Sequence, residues 1–264
     1  MEIRGKRVLV TGASRGIGEA IARRFAAEGA KVALVARSAA QLEVLAKELD
    51  GTAHPCDLGD PAALVGFFDA VEADGGPVDV LVNNAGIDIT KSFADTSPEE
   101  LVRITRVNYL AAAELCRQAL GPMLRRRQGH LVNVSSLAGV GAYPGLTTYS
   151  ATKAAMSHFT AGLRADLRGL PIGTTLVELG PIPTDMLDHV DDYKPTADSF
   201  KRFYRLKLLV DVPKETVADD VLEAVVKGRR HVRIPKRAMA FPMLTEAPRR
   251  LVELFLSGVD HREG

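Results

Sequence analysis

The stretch Arg7-Val-Leu-Val-Thr11-Gly-Ala-Ser-Arg-Gly-Ile-Gly18 decides the fold. A short apolar run, Val8–Val10, leads into a turn with glycines at 12, 16 and 18, and helix-period residues follow over Glu19–Glu28. Strand, tight turn and helix in that order bring backbone N–H groups and the positive end of a helix to one point, where a phosphate can sit. Glycines at the turn let the backbone approach a pyrophosphate closely. The spacing Gly12, Gly16, Gly18 is not the usual G-x-G-x-x-G, so the strand–turn–helix context carries the expectation of a dinucleotide site.

The same alternation continues along the chain. Further apolar runs occur at Val32–Val35, Val78–Val82, Leu131–Val134 and Thr175–Leu179, with helical spacing between them, as at Ala39–Leu49. Short buried runs separated by helices mean βαβ units, hence a parallel sheet covered on both faces. No linker or repeat divides the chain, so one domain over residues 1–264 is expected. His231–Pro235 reads as the last strand, and Pro248 suits the first turn of a short helix. Residues 184–212 are irregular in pattern, and an insertion that long in an α/β domain is expected to be a substrate-binding loop or lid.

Composition narrows the function. The 264 residues are 46% hydrophobic and 25% charged, which excludes a disordered chain and a disulfide scaffold. Cys56 and Cys116 fit buried free thiols, and the six histidines show no metal spacing, so no metal is expected. The formal charge of +1 speaks against nucleic acid. That total is a cancellation. Residues 229–250 hold seven Lys/Arg and one acid, Glu246, giving this segment +6 and the rest of the chain −5. A basic, apolar C-terminal segment at 229–264 is a candidate for peripheral contact with an anionic membrane or a partner. No leader pattern and no 18-residue apolar stretch are present, and a cytoplasmic protein is expected.

The second strand addresses the cofactor. Its end reads Val35-Ala-Arg37-Ser38, where an acid would hold a ribose 2′-hydroxyl. Arg37, together with Arg15 in the glycine turn, suits a 2′-phosphate, because guanidinium pairs bidentately with phosphate oxygens. The reading is therefore NADP(H) rather than NAD(H).

Three further pieces carry chemistry: Asn83-Asn-Ala-Gly86, the pair Ser135-Ser136, and Tyr149-Ser-Ala-Thr-Lys153. A Tyr and a Lys at i and i+4 share one helix face. A phenol titrates near ~10, and a neighbouring ammonium lowers that value toward the range useful for general acid–base work.

Together with Asp57-Leu58, Asn108, and Gly180 with Thr184, these motifs make the chain resemble the short-chain dehydrogenases/reductases in their branch of roughly 250 residues. The match covers about residues 5–185. The resemblance implies a Rossmann-type, doubly wound α/β fold with about seven strands. It implies Tyr149 as proton donor and acceptor, Lys153 as the group that lowers its pKa and binds the nicotinamide ribose, Ser136 as carbonyl-orienting residue, and Asn108 as holder of a relay water. It places Gly12, Ser14, Arg15, Gly16, Ile17 and Gly18 on the phosphates, Arg37 and Ser38 at the adenosine ribose, and Asp57 and Leu58 at the adenine. Asn84, Ala85 and Gly86 would lie along the cofactor, with Gly180, Ile182 and Thr184 at the nicotinamide. One departure is that the family commonly has Pro-Gly after strand six, whereas this chain reads Gly180-Pro181-Ile182-Pro183.

Ser136, Tyr143, Tyr149, Met186 and Leu187 are the candidate substrate contacts, with Val140, Leu146, Val190, Tyr193, Phe200, Phe203 and Tyr204 around them, which points to a hydrophobic small molecule. The expected activity is NADP(H)-dependent interconversion of a ketone and a secondary alcohol in a homodimer or homotetramer. A non-catalytic NADP-binding sensor or scaffold is the alternative.

Overall fold

The computed structural model describes residues 1–207, 209–236 and 243. Seven parallel strands form one sheet: β1 (Arg7–Thr11), β2 (Lys31–Ala36), β3 (Thr52–Pro55), β4 (Val80–Asn83), β5 (Gly129–Ser136), β6 (Ile172–Leu179) and β7 (His231–Ile234), in the order β3-β2-β1-β4-β5-β6-β7. The chain turns back between β1 and β4, which are neighbours with Val10 paired to Val82. A sheet of this kind leaves a crevice at the C-terminal ends of the strands where its order reverses.

The helices are α1 (Gly16–Ala27), α2 (Ala39–Leu49), α3 (Phe67–Gly75), α4 (Pro98–Thr105), α5 (Ala111–Arg125), α6 (Thr147–Asp166), α7 (Asp185–Asp188), α8 (Lys194–Arg205) and α9 (Lys214–Lys227). Strand residues alternate between two cores. Val8, Val10, Val80 and Val82 face Ile21 and Phe25 of α1, Leu42 of α2 and Val221 of α9. Leu9, Leu81 and Leu131 face Phe68 of α3, Leu115 and Met123 of α5 and Leu163 of α6. Burial of side chains such as Phe25 and Phe68, both at 0% exposure, contributes about 2–3 kcal/mol each.

Within the second face runs a polar rung. Asn83 of β4 donates to Asn133 Oδ1 of β5 at 2.9 Å, and Asn133 donates to Thr160 Oγ1 of α6 at 3.0 Å. It locks the two central strands to the helix that carries Tyr149. Cys56 and Cys116 are free and buried, and burial pushes the Cys116 thiol up to about 12. β7 is held to β6 by a buried ion pair, Arg233 Nε to Glu178 at 2.7 Å, between residues directly in register.

Two differences from the sequence reading stand out. β3 carries no apolar run, because it is an edge strand with partly exposed residues. The segment at 184–212 is not irregular throughout. α8 forms over Lys194–Arg205 with Pro195 in its first turn, and it buries Thr196 and Ala197 while its aromatic rings meet Tyr143. Of the basic C-terminal segment and the short helix at Pro248, residues 237–242 and 244–264 lie outside the described residues. No helix among the described residues is long and apolar enough to cross a membrane.

Asn133→Ala removes the middle of the polar rung, costing the buried Asn83 amide its 2.9 Å acceptor and the buried Thr160 hydroxyl its 3.0 Å donor. It should lower the unfolding free energy by about 2–3 kcal/mol, read as a lower urea midpoint at an unchanged slope.

Candidate active site

The glycine turn is tied to the end of β4 by one hydroxyl. Thr11 Oγ1 donates to the Val82 carbonyl at 3.2 Å and accepts the N–H groups of Asn84 and Ala85 at 3.0 and 3.1 Å. The Asn84 amide donates to the Thr11 carbonyl at 3.0 Å, so Asn84 braces the turn from below. Gly12 and Gly16 adopt φ of +66° and +62°, which disfavour any side chain. A Cβ on Gly18 would lie 2.2 Å from the Gly12 carbonyl oxygen. These glycines let α1 begin hard against the turn. Its N-cap, Arg15, makes no side-chain cap bond, so the first amides of a 12-residue helix point into the crevice without a side-chain acceptor at the cap. This cradle fits a pyrophosphate, with Ser14 and Ile17 partly exposed along it.

Arg37 is exposed at the end of β2, next to the half-buried Ser38. Arg15 meets Asp185 of α7 at 2.7 Å, an exposed pair that bridges the turn to the segment after β6. The Asp57 carboxylate is gripped by Arg103 at 2.9 Å through both oxygens and accepts the Gly59 N–H. That grip holds it below the usual carboxylate range. Leu58 is buried in the second core. Gly180 donates to the Ile234 carbonyl at 2.7 Å and abuts Pro235. Ile182 is buried in the first core, while Thr184 lies against Gly16. No local pattern points to Arg103, which lies 46 residues from Asp57.

Four expected catalytic residues converge beyond the cradle. Ser136 ends β5, Tyr149 and Lys153 lie on α6, and Asn108 sits in a π-helical turn, Arg106–Leu110, between α4 and α5. Such turns often occur at functional sites. The Asn108 side chain clamps Ile87, accepting its N–H and donating to its carbonyl, both at 2.8 Å, and it also donates to Thr152 Oγ1 at 3.1 Å. Thr152 in turn bonds the Tyr149 carbonyl at 2.7 Å. Asn108 therefore positions the loop after β4 relative to α6. Gly86, on that loop, runs beside Lys153: an ideal Cβ there would lie 3.4 Å from Lys153 Nζ and 3.5 Å from Asn108 Oδ1.

Burial is the largest influence on the Tyr149 phenol and pushes it up to about 12, with the Ser136 hydroxyl pulling the other way and Asp88 adding to the rise. Lys153 Nζ is 5.7 Å from the Tyr149 ring centre and donates to the Val134 carbonyl at 3.1 Å. Burial brings Lys153 down to about 8. Tyr143 packs against Phe200 and Phe203 of α8 at 5.9 and 5.6 Å, so these rings form a small aromatic cluster. Met186 and Leu187 of α7 are half-buried.

A model of the short chain dehydrogenases matches residues 6–194. Dehydrogenase/reductase SDR family member 7B of Bos taurus is 35% identical over 261 residues, covering 93% of this chain and 79% of its own. A short-chain dehydrogenase from Burkholderia phymatum in complex with NAD shares the fold, with a TM-score of 0.82 at 24% identity over 96% of each chain. A metagenomic short-chain oxidoreductase in complex with NADP superposes with a TM-score of 0.71 at 29% identity, over 88% of this chain and 98% of its own. The chain belongs to the short-chain dehydrogenase/reductase family of oxidoreductases, whose members use a nicotinamide dinucleotide.

The Lys153 ammonium is costly where it lies. Its folded value of about 8 is below the ordinary 10.5, so the unfolded chain holds this proton more tightly. The cost is full below pH 8, about 3 kcal/mol, and it fades as pH rises toward 10.5. Lys153→Met should therefore raise the Tm of protein stripped of dinucleotide at pH 7, by scanning calorimetry, while abolishing turnover.

Proposed function

We propose that the protein interconverts a hydrophobic ketone and a secondary alcohol using NADP(H), with Tyr149 as the general acid and base. The observation that carries this is the convergence of Ser136, Tyr149, Lys153 and the Asn108 clamp beside a glycine cradle open to a pyrophosphate. When bound, the dinucleotide supplies or accepts a hydride at the carbon of the carbonyl.

The protein's own residues do the rest. Gly12, Ser14, Gly16, Ile17 and Gly18 receive the phosphates at the start of α1. Ser136 sits beside the Tyr149 hydroxyl and donates to the substrate oxygen, stabilising the charge that develops there. Tyr149, held protonated by burial, gives its proton to that oxygen in reduction and takes it back in oxidation. Lys153 steadies the phenolate left behind and bonds the ribose. Asn108 fixes the relation between α6 and the loop after β4, and holds a water in a proton relay that reaches Lys153.

NADP(H) is favoured because Arg37 directly follows β2 where an acid would serve a 2′-hydroxyl, and Arg15 lies exposed across the same mouth. Breaking a charge-assisted contact of this kind costs roughly 1.5–3 kcal/mol, or roughly ten- to a hundredfold. Arg37→Ser should accordingly raise KM for NADPH by that factor while leaving KM for NADH nearly unchanged. A wild-type KM for NADH equal to or below that for NADPH would remove this reading.

A hydrophobic substrate is favoured by the half-buried Met186 and Leu187 and by the aromatic cluster of α8 with Tyr143. General acid–base catalysis contributes about 10²–10⁴ in rate. Tyr149→Phe should lose at least a hundredfold in kcat for reduction of any ketone the protein accepts, with NADPH binding by fluorescence titration little changed. Retention of more than a few per cent of activity would defeat the assignment. A homodimer or homotetramer, with the helices around Asn108 and Tyr149 packed between subunits, completes the proposal.

A further inference from the structure

The loop that leaves β4 carries a carboxylate, Asp88, that the chemistry above does not use. Its position is fixed on both sides. Before it, Ile87 is clamped at N–H and carbonyl by Asn108, each at 2.8 Å. After it, the Lys91 N–H donates to the Gly145 carbonyl at 3.2 Å, and Lys91 Nζ pairs with Glu100 at 2.6 Å. Gly86, two residues earlier, passes close to Lys153 Nζ and Asn108 Oδ1. The Asp88 side chain is 11% exposed, and its charge reaches the Tyr149 phenol.

The partner of Asp88 comes from the other side of the mouth. His189, the residue after α7, places Nδ1 3.1 Å from Asp88 Oδ1. α7 itself carries Met186 and Leu187, so the contact joins the loop after β4 to the segment after β6. Lys194 of that segment is directed elsewhere, its Nζ meeting Asp198 at 2.5 Å within α8. Asp88 is thus a fixed carboxylate whose charge bears on Tyr149 and whose counter-charge is an exposed histidine. Like charges a few ångströms apart in such a setting repel by tenfold to a hundredfold in affinity, to order of magnitude.

We propose that Asp88 is a specificity-determining residue which, with His189, restricts the site to substrates that carry no carboxylate near the reacting carbonyl. The proposal rests on the reading of Tyr149 as the acid–base group. It narrows the substrate class to neutral ketones and alcohols.

The test uses the full chain with NADPH and a series of aliphatic, cyclic and aromatic keto esters, each against its free keto acid. The wild type is expected to favour the ester over the acid by tenfold or more in kcat/KM. Asp88→Asn should collapse that preference by about tenfold. His189→Gln, which removes the counter-charge, should sharpen it severalfold. Equal use of acid and ester by the wild type, or a preference that survives Asp88→Asn, overturns the proposal. Tyr149→Phe is assayed alongside: residual turnover there defeats the acid–base reading and leaves the ester-to-acid ratio readable, so the two failures separate.

A second measurement needs no turnover. His189 faces Asp88 on the opposing loop and Asp188 and Asp192 on its own segment, which together hold it above its ordinary value. In an NMR titration, Asp88→Asn should lower the His189 midpoint by half a pH unit or more. An unchanged midpoint means the contact does not form in solution and overturns the proposal.

Discussion

The junction between the ends of β1 and β4 is the constraint on which the rest depends. Thr11 sits at the last position of β1, and its hydroxyl satisfies two backbone N–H groups of the adjoining loop and bonds one carbonyl. Asn84 answers from the loop by bonding the Thr11 carbonyl. Buried backbone groups need partners, and here one side chain supplies them for two segments at once. The result holds the glycine cradle and the loop carrying Gly86, Ile87 and Asp88 in one rigid relation. The first is the proposed cofactor cradle and the second borders Tyr149 and Lys153, so this junction sets the distance between the two.

A second chain of contacts runs from that loop to α6. Ile87 is clamped by Asn108, Asn108 reaches Thr152, and Thr152 bonds the Tyr149 carbonyl. Beneath it the rung Asn83–Asn133–Thr160 ties the same helix to the two central strands. Tyr149 and Lys153 thus stand on a helix fixed at two levels by polar contacts rather than by apolar packing alone. Polar contacts are directional, and acid–base chemistry needs that precision of placement more than it needs stability.

The fold was largely legible in the sequence because its strands are buried on both faces. Val8–Val10, Val32–Val35, Leu131–Val134 and Thr175–Leu179 all fall within strands, and Ala39–Leu49 is a helix from end to end. α8 was missed because its residues are mostly polar and its few rings pack on Tyr143, 50 or more positions away. The site was legible where chemistry needs adjacency along the chain, as with Gly12–Gly18 and Tyr149–Lys153. It was not legible where two distant segments meet. Nothing local ties Asp57 to Arg103, Arg15 to Asp185 or Asp88 to His189. The direction of the Tyr149 shift was also hidden, because it depends on how deeply α6 is covered, which the spacing of two residues does not state.

β3 shows what this kind of invisibility is good for. It is four residues long, half-exposed, and it ends in Pro55, which has no N–H to offer. It forms one margin of the sheet. A long apolar strand in that place would have been easy to read, and it would also have presented a row of free donors and acceptors to any other strand in solution. A short margin closed by proline is a poor template for a second sheet. The feature that conceals β3 from a reader of the sequence also guards the protein against aggregation through that edge.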